Sequence, residues 1–132
     1  LTPPLTLEQQ QAKLEKELLM KERSKPLDHL SLSYDHTYRW FAGKEEYSGY
    51  IFNKAKYATF MNFDVRVTFL SKTRTALGSK IFTVYEYCSP GDRVAFKFQT
   101  TSPNGYQYHE LDIIRAVVHR PELSDEYEPN EQ

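Results

Sequence analysis

Two short runs limit most sharply what this chain can fold into. In "FDVRVTF" (63–69), Phe63, Val65, Val67 and Phe69 alternate with Asp64, Arg66 and Thr68. In "VAFKFQT" (94–100), Val94, Phe96 and Phe98 alternate with Ala95, Lys97 and Gln99. A period of two puts each apolar set on one face of an extended strand, the pattern of a sheet with one buried and one wet face. "LDHLSLSYDHTYRW" (27–40) carries the same signal, with Leu30, Leu32 and Tyr34 set against Ser31, Ser33 and Asp35. "YSGYIFN" (47–53), "KIFTVYEY" (80–87) and "YQYHELDIIRAVVH" (106–119) read as further strands, and "SPGD" (89–92) and "SPNG" (102–105) as turns. Gly49 inside the second strand suggests a bulge or a close backbone approach.

The N-terminal segment has a different character. "TLEQQQAKLEKELLMKERSK" (6–25) is rich in helix formers. Thr6 and Gln9 fit a capping box, and Pro26 stops the helix. Its apolar stripe, Leu7, Leu14 and Leu18, is thin and interrupted by Gln11, and Leu19 and Met20 widen it at the end. A stripe this thin buries little, so the helix is marginal alone. It can pack on the domain, pair with a second copy, or serve as a stalk. Residues 121–132 hold Glu122, Asp125, Glu126, Glu128 and Glu131 with no base, and read as an acidic disordered tail. The chain therefore divides into a helix and linker (1–26), a β-sandwich domain (27–120) and the tail (121–132). The fold class expected is all-β: an antiparallel immunoglobulin-like sandwich of about seven strands, preceded by one α-helix. Leu32, Ile51, Val65, Val67, Phe69, Val84, Phe96, Phe98, Ile113 and Val118 are its expected interior. The register of 80–87, and so the side on which Phe82 falls, is open.

Taken in order, Gly49-x-Ile51-x-Asn53, Phe63-x-Val65-x-Val67-x-Phe69, Leu77-Gly78, Tyr87-x-x-Pro90-Gly91 and Phe96-x-Phe98 form a string. It resembles the FxLYD-type immunoglobulin-like β-sandwich domain of bacterial envelope and secreted proteins, over residues 30 to 118. The chain departs from that pattern at Leu70-Ser71 and at Thr73-Arg74-Thr75. The resemblance implies a non-catalytic, extracytoplasmic adhesion or accessory module, periplasmic, membrane-anchored, lipoprotein-like or secreted. It carries no ligand and no functional residues with it.

Charge and motifs narrow the function further. The net charge is −1, and without the tail 13 acids face 17 bases, far from the balance of a nucleic-acid binder. No apolar run is long enough to span a bilayer, so a membrane is expected only through a segment not in this chain. The one cysteine, Cys88, makes no intrachain disulfide and reads as a small strand-end residue. His29, His36, His109 and His119 fall in strand-like segments without metal-ligand spacing and read as exposed or rim histidines, so no metal site is expected. No glycine-rich phosphate loop or nucleophile elbow is present, and no cofactor is expected. Asp64, Glu86, Glu110 and Asp112 could supply paired carboxylates, but strands carry such acids routinely on their wet faces. Lys72, Arg74 and Lys80 read as solvated residues around a hairpin turn.

Ten Tyr, eight Phe and one Trp exceed what one inner face can hold. Trp40, Tyr85, Tyr87, Tyr106 and Tyr108 are the candidate contact surface, because exposed aromatics anchor protein interfaces or stack on sugars. The expected function is a non-enzymatic module for protein interaction or structural spacing in the bacterial envelope. The alternative is a carbohydrate-binding module using exposed Tyr and Trp. An unknown protein or polysaccharide is the expected partner, and a homodimer through the N-terminal helix is a further expectation.

Overall fold

The structure is a computed structural model and describes residues 3–122. Helix α1 (Leu7–Ser24) opens with the expected capping box. The Gln9 amide donates to the Thr6 hydroxyl at 3.1 Å, and the Thr6 amide donates back to the Gln9 side chain at 2.9 Å. A 3-10 turn (Pro26–His29) follows, in which proline's fixed φ suits the first position and its missing N–H ends the helix ladder.

Six strands follow: β1 (Leu30–Arg39), β2 (Lys44–Asn53), β3 (Phe60–Leu70), β4 (Ala76–Cys88), β5 (Arg93–Thr100) and β6 (Tyr108–Val118). They form two antiparallel three-stranded sheets, ordered β1-β2-β5 and β4-β3-β6. The strand count is thus six among the described residues rather than about seven. The long stretches 27–40 and 106–119 each supply one continuous strand, and residues 26–29 are spent on the 3-10 turn. The chain changes sheet three times, between β2 and β3, β4 and β5, and β5 and β6. Residues 123–132 of the expected acidic tail lie outside the described residues.

The alternation places the core between the sheets. Ile51, Phe60, Phe63, Val65, Val94 and Phe96 form its main cluster, and Tyr47, Val67 and Phe69 continue it toward one end. Of the expected interior, Ile51, Val65, Val67, Phe69 and Phe96 are buried; Leu32, Val84, Phe98, Ile113 and Val118 are partly buried against that cluster. Pairing of Val65 with Phe82 settles the open register: Phe82 points inward and its ring stacks on Phe98 with centroids 3.9 Å apart. Near its foot, β3 slips by one residue against β4 between Met61 and Phe63, and Asn62 takes a positive φ of 52°. Gly49 marks a close approach: a Cβ there would sit 1.9 Å from the Ser33 carbonyl oxygen on β1.

Two ends of the sandwich result. One, the anchored end, gathers the β2–β3 loop, the β4–β5 turn and the last turns of α1. The other, the open end, gathers the β1–β2, β3–β4 and β5–β6 connections.

Candidate functional site

The five aromatics expected to form a contact surface do not share one patch. Trp40 lies in the β1–β2 turn, 77% exposed, with its ring edge-on to Phe41. Tyr108 opens β6 opposite Leu70, and the Arg74 guanidinium lies 4.2 Å from its ring centroid. Tyr106, in the β5–β6 loop, is half-buried and meets Phe69 edge-on. These three belong to the open end. Tyr85 and Tyr87, on the outer side of β4, belong to the other; Tyr87 pairs with Met61 and packs on His119. Met61 and Leu70 are nine residues apart on β3, which separates the two aromatic groups by about 30 Å. The expected surface is therefore two surfaces.

At the open end, β1, β2, β6 and the β5–β6 loop bring Tyr34, His36, Glu45, Tyr47, Tyr106 and His109 together. Period two puts Tyr34 and His36 on the inner side of β1, and Glu45 and Tyr47 on the inner side of β2. The His36 Nε2 is hydrogen-bonded to Glu45, whose other oxygen accepts from Ser102 Oγ at 3.1 Å. The imidazoles of His36 and His109 lie 4.5 Å apart, and His109 Nδ1 shares a 3.2 Å hydrogen bond with the Tyr34 hydroxyl. Burial, and then the nearby His36, hold the His109 imidazole below its usual range. Tyr47 has no exposed surface, and its hydroxyl makes no hydrogen bond of full geometry, only a weak approach to the Tyr106 hydroxyl. Burial pushes that phenol far up, and Tyr106, close by, pushes it further.

The chemistry open to this cluster is limited by its connections. Glu45 stands between Ser102 and His36, so the histidine does not touch the hydroxyl it would have to activate. No group of three or more His, Cys, Asp or Glu is placed to hold a metal ion among the described residues. Asp64 and Asp112 are committed on the outer face of the second sheet, Asp64 to Thr83 and Arg115, and Asp112 to Arg66. Cys88 is fully buried, and burial raises its thiol pKa.

At the anchored end the decisive residue is Glu22, in the last turn of α1. It is buried, and its carboxylate accepts the backbone N–H groups of Lys56, Tyr57 and Ala58 at 2.8, 3.0 and 2.9 Å. Burial alone would raise its pKa; the three amides outweigh this and hold it below the usual carboxylate range. Leu19 packs on the core beside it, and Arg23 donates to Glu122 and to the His119 carbonyl. The helix is thereby fastened by its C-terminal turns. Its stripe is left uncovered: Leu7 is 83% and Leu14 61% exposed, and Leu18 is exposed too. Neither Glu22 nor the His36–His109 pair stands out in the sequence, since each depends on contacts between distant segments.

No protein-family model matches the chain, and no curated protein or solved structure is similar enough to be matched.

Proposed function

We propose that this chain is a non-catalytic, extracytoplasmic module for protein interaction and structural spacing, built on an immunoglobulin-like sandwich of the FxLYD type. The strand order supports the fold reading. Strands β1-β2-β5 and β4-β3-β6 follow one another as strands A-B-E and C′-C-F do in an immunoglobulin sandwich, with D and G left out. The observation that carries the functional reading is the helix: α1 is locked to the sandwich through Glu22 while Leu7, Leu14 and Leu18 face outward. A contiguous apolar surface held away from the core is the mark of an interaction element, and a helix gripped by its base is a spacer.

Spin labels at Gln10→Cys and Ser48→Cys test this by pulsed dipolar spectroscopy. A narrow distance distribution is expected; a broad one overturns the spacer. The compartment is tested separately by the whole gene fused to a periplasmic reporter, where an inactive fusion counts against an extracytoplasmic role. The second reading, carbohydrate binding, draws on the exposure of Trp40 and Tyr85. Glycan-array binding lost in Trp40→Ala or Tyr85→Ala would favour it.

A further inference from the structure

The partner of α1 can be narrowed from the charges that flank its stripe; this rests on the reading of α1 as an interaction element. At 100° per residue, Leu7, Leu14 and Leu18 fall within a sector of about 40°, with Gln11 at its edge. Their spacing, seven then four, is that of the d and a positions of a heptad seam. On one side of the seam stand Glu8 and Glu15, followed by the docked Glu22; on the other stand Gln10 and Glu17. The helix lysines Lys13 and Lys16 lie toward the back, and Lys21 only at the inner end of the seam. The flanks that a second helix must meet are therefore acidic.

Antiparallel pairing of two copies of α1 would set Glu8 against Glu15, parallel pairing would set Glu17 against the docked Glu22 and offer Glu15 only the neutral Gln10, and neither orientation supplies an opposite charge on the flanks. The seam is also short, about two heptads, because Pro3 and Pro4 precede the helix and its far end is held by the sandwich. Self-association through so short and repulsive a seam is unfavourable at neutral pH. We infer that α1 docks an amphipathic helix of another protein, one whose apolar face is bordered by Lys and Arg. Leu7, Leu14 and Leu18 supply the contact, Glu8, Glu15 and Glu17 select the partner, and Gln11 in the seam fixes the register.

The probes are three synthetic helices: one with a leucine seam and lysine flanks, the same helix with glutamate flanks, and a peptide of residues 3–24. Fluorescence anisotropy at low salt is expected to show binding of the lysine-flanked helix at least tenfold tighter than either of the others. Raising the salt is expected to shrink that preference several-fold. Leu14→Glu with Leu18→Glu is expected to abolish binding while the circular dichroism of the helix persists. Glu15→Lys with Glu17→Lys, which keeps the leucines, is expected to invert the preference toward the glutamate-flanked helix. Equal or tighter binding of the 3–24 peptide would make the partner a second copy and overturn the inference. So would lysine-flanked binding that survives Leu14→Glu with Leu18→Glu, since the acidic segment 121–132 would then be its target. If no probe binds but the spin-label distances are narrow, this inference fails and the spacer stands; a broad distribution removes the spacer whatever binds.

Discussion

Asn53 and Tyr47 lie on the same face of β2, and neither has exposed surface. At the anchored end, the Asn53 side chain donates to the Ala58 and Cys88 carbonyls at 2.9 and 3.0 Å and accepts from the Ala55 amide at 2.9 Å. Its backbone carbonyl and amide reach Gly91 and Asp92 as well, so one residue ties β2 to the β2–β3 loop, β4 and the β4–β5 turn. At the open end, six residues away, the Tyr47 hydroxyl has only a weak approach to Tyr106 and no hydrogen bond of full geometry. Burying a polar group costs little when its bonds are remade and a good deal when they are not. The anchored end thus carries the structural load. Among the described residues its flaw is Arg23, whose Nε is buried without a partner although its other nitrogens are paired. The open end carries a poorly satisfied hydroxyl beside two facing imidazoles, an arrangement with fewer polar bonds holding it.

The sharpest way to break this comparison is Asn53→Ala. It strands two carbonyls and an amide in the interior and is expected to cost about 4 kcal/mol in urea unfolding, with the denaturant slope unchanged. A loss under about 1 kcal/mol would mean the anchored end relaxes or admits water, and the contrast would collapse.

Glu22→Gln comes next. The amide keeps one acceptor oxygen but loses the charge and one of the two acceptors, for an expected loss of about 2 kcal/mol. Hydrogen exchange at Lys56, Tyr57 and Ala58 should quicken together. The pH dependence carries a sign. The folded carboxyl titrates below its unfolded value, so its contribution is complete above the unfolded pKa of about 4.3 and is lost as pH falls through the folded value. Glu22→Gln should therefore flatten the acid side of the stability profile. An unaltered acid limb would show that other carboxylates dominate it.

Tyr47→Phe asks the same question of the open end and should give the opposite sign. Removing a hydroxyl whose bond to Tyr106 is weaker than the desolvation it suffers relieves that cost, and stability is expected to rise by up to about 1 kcal/mol. A loss of 1 kcal/mol or more would reveal a hydrogen bond to Tyr106 or to water, and the open end would then resemble the other.

These residues also show what the sequence could reveal. The strands were legible because alternation is local: Phe63, Val65, Val67 and Phe69 announce their own face. The capping box of Thr6 and Gln9 was legible for the same reason, and Gly49 signalled the tight approach of β1. Glu22 was not, because its partners are backbone amides more than thirty residues away, and backbone leaves no compositional trace. The sequence pattern makes His36 and His109 exposed or rim histidines, since only the facing of β1 and β6 across the sandwich brings them together. Tyr106 was grouped with the exposed aromatics, yet the loop that carries it folds over Phe69. Nothing in the residue order tells that Tyr85 and Tyr108 sit at opposite ends; that follows from register, set by turns and by the slip at Asn62.

The finest test compares how the two ends respond near neutral pH. Around His109 stand Tyr34 and His36 from β1, Glu45 and Tyr47 from β2, and Tyr106 from the β5–β6 loop. Glu45 favours the protonated imidazole, but burial and His36 outweigh it. A base whose folded pKa is depressed binds fewer protons folded than unfolded. Its folded state is therefore fully stable above the unfolded pKa of about 6.5 and weakens as pH falls below it. Stability measured from pH 8 to pH 5 should decline, and His109→Gln should remove part of that decline. Amide exchange locates the effect: protection should fall first around Tyr34, His36 and Tyr106, while Lys56–Ala58 stay protected down to the pH at which Glu22 itself titrates. Simultaneous loss at both ends would show that the sandwich answers acid as one unit, with no softer end.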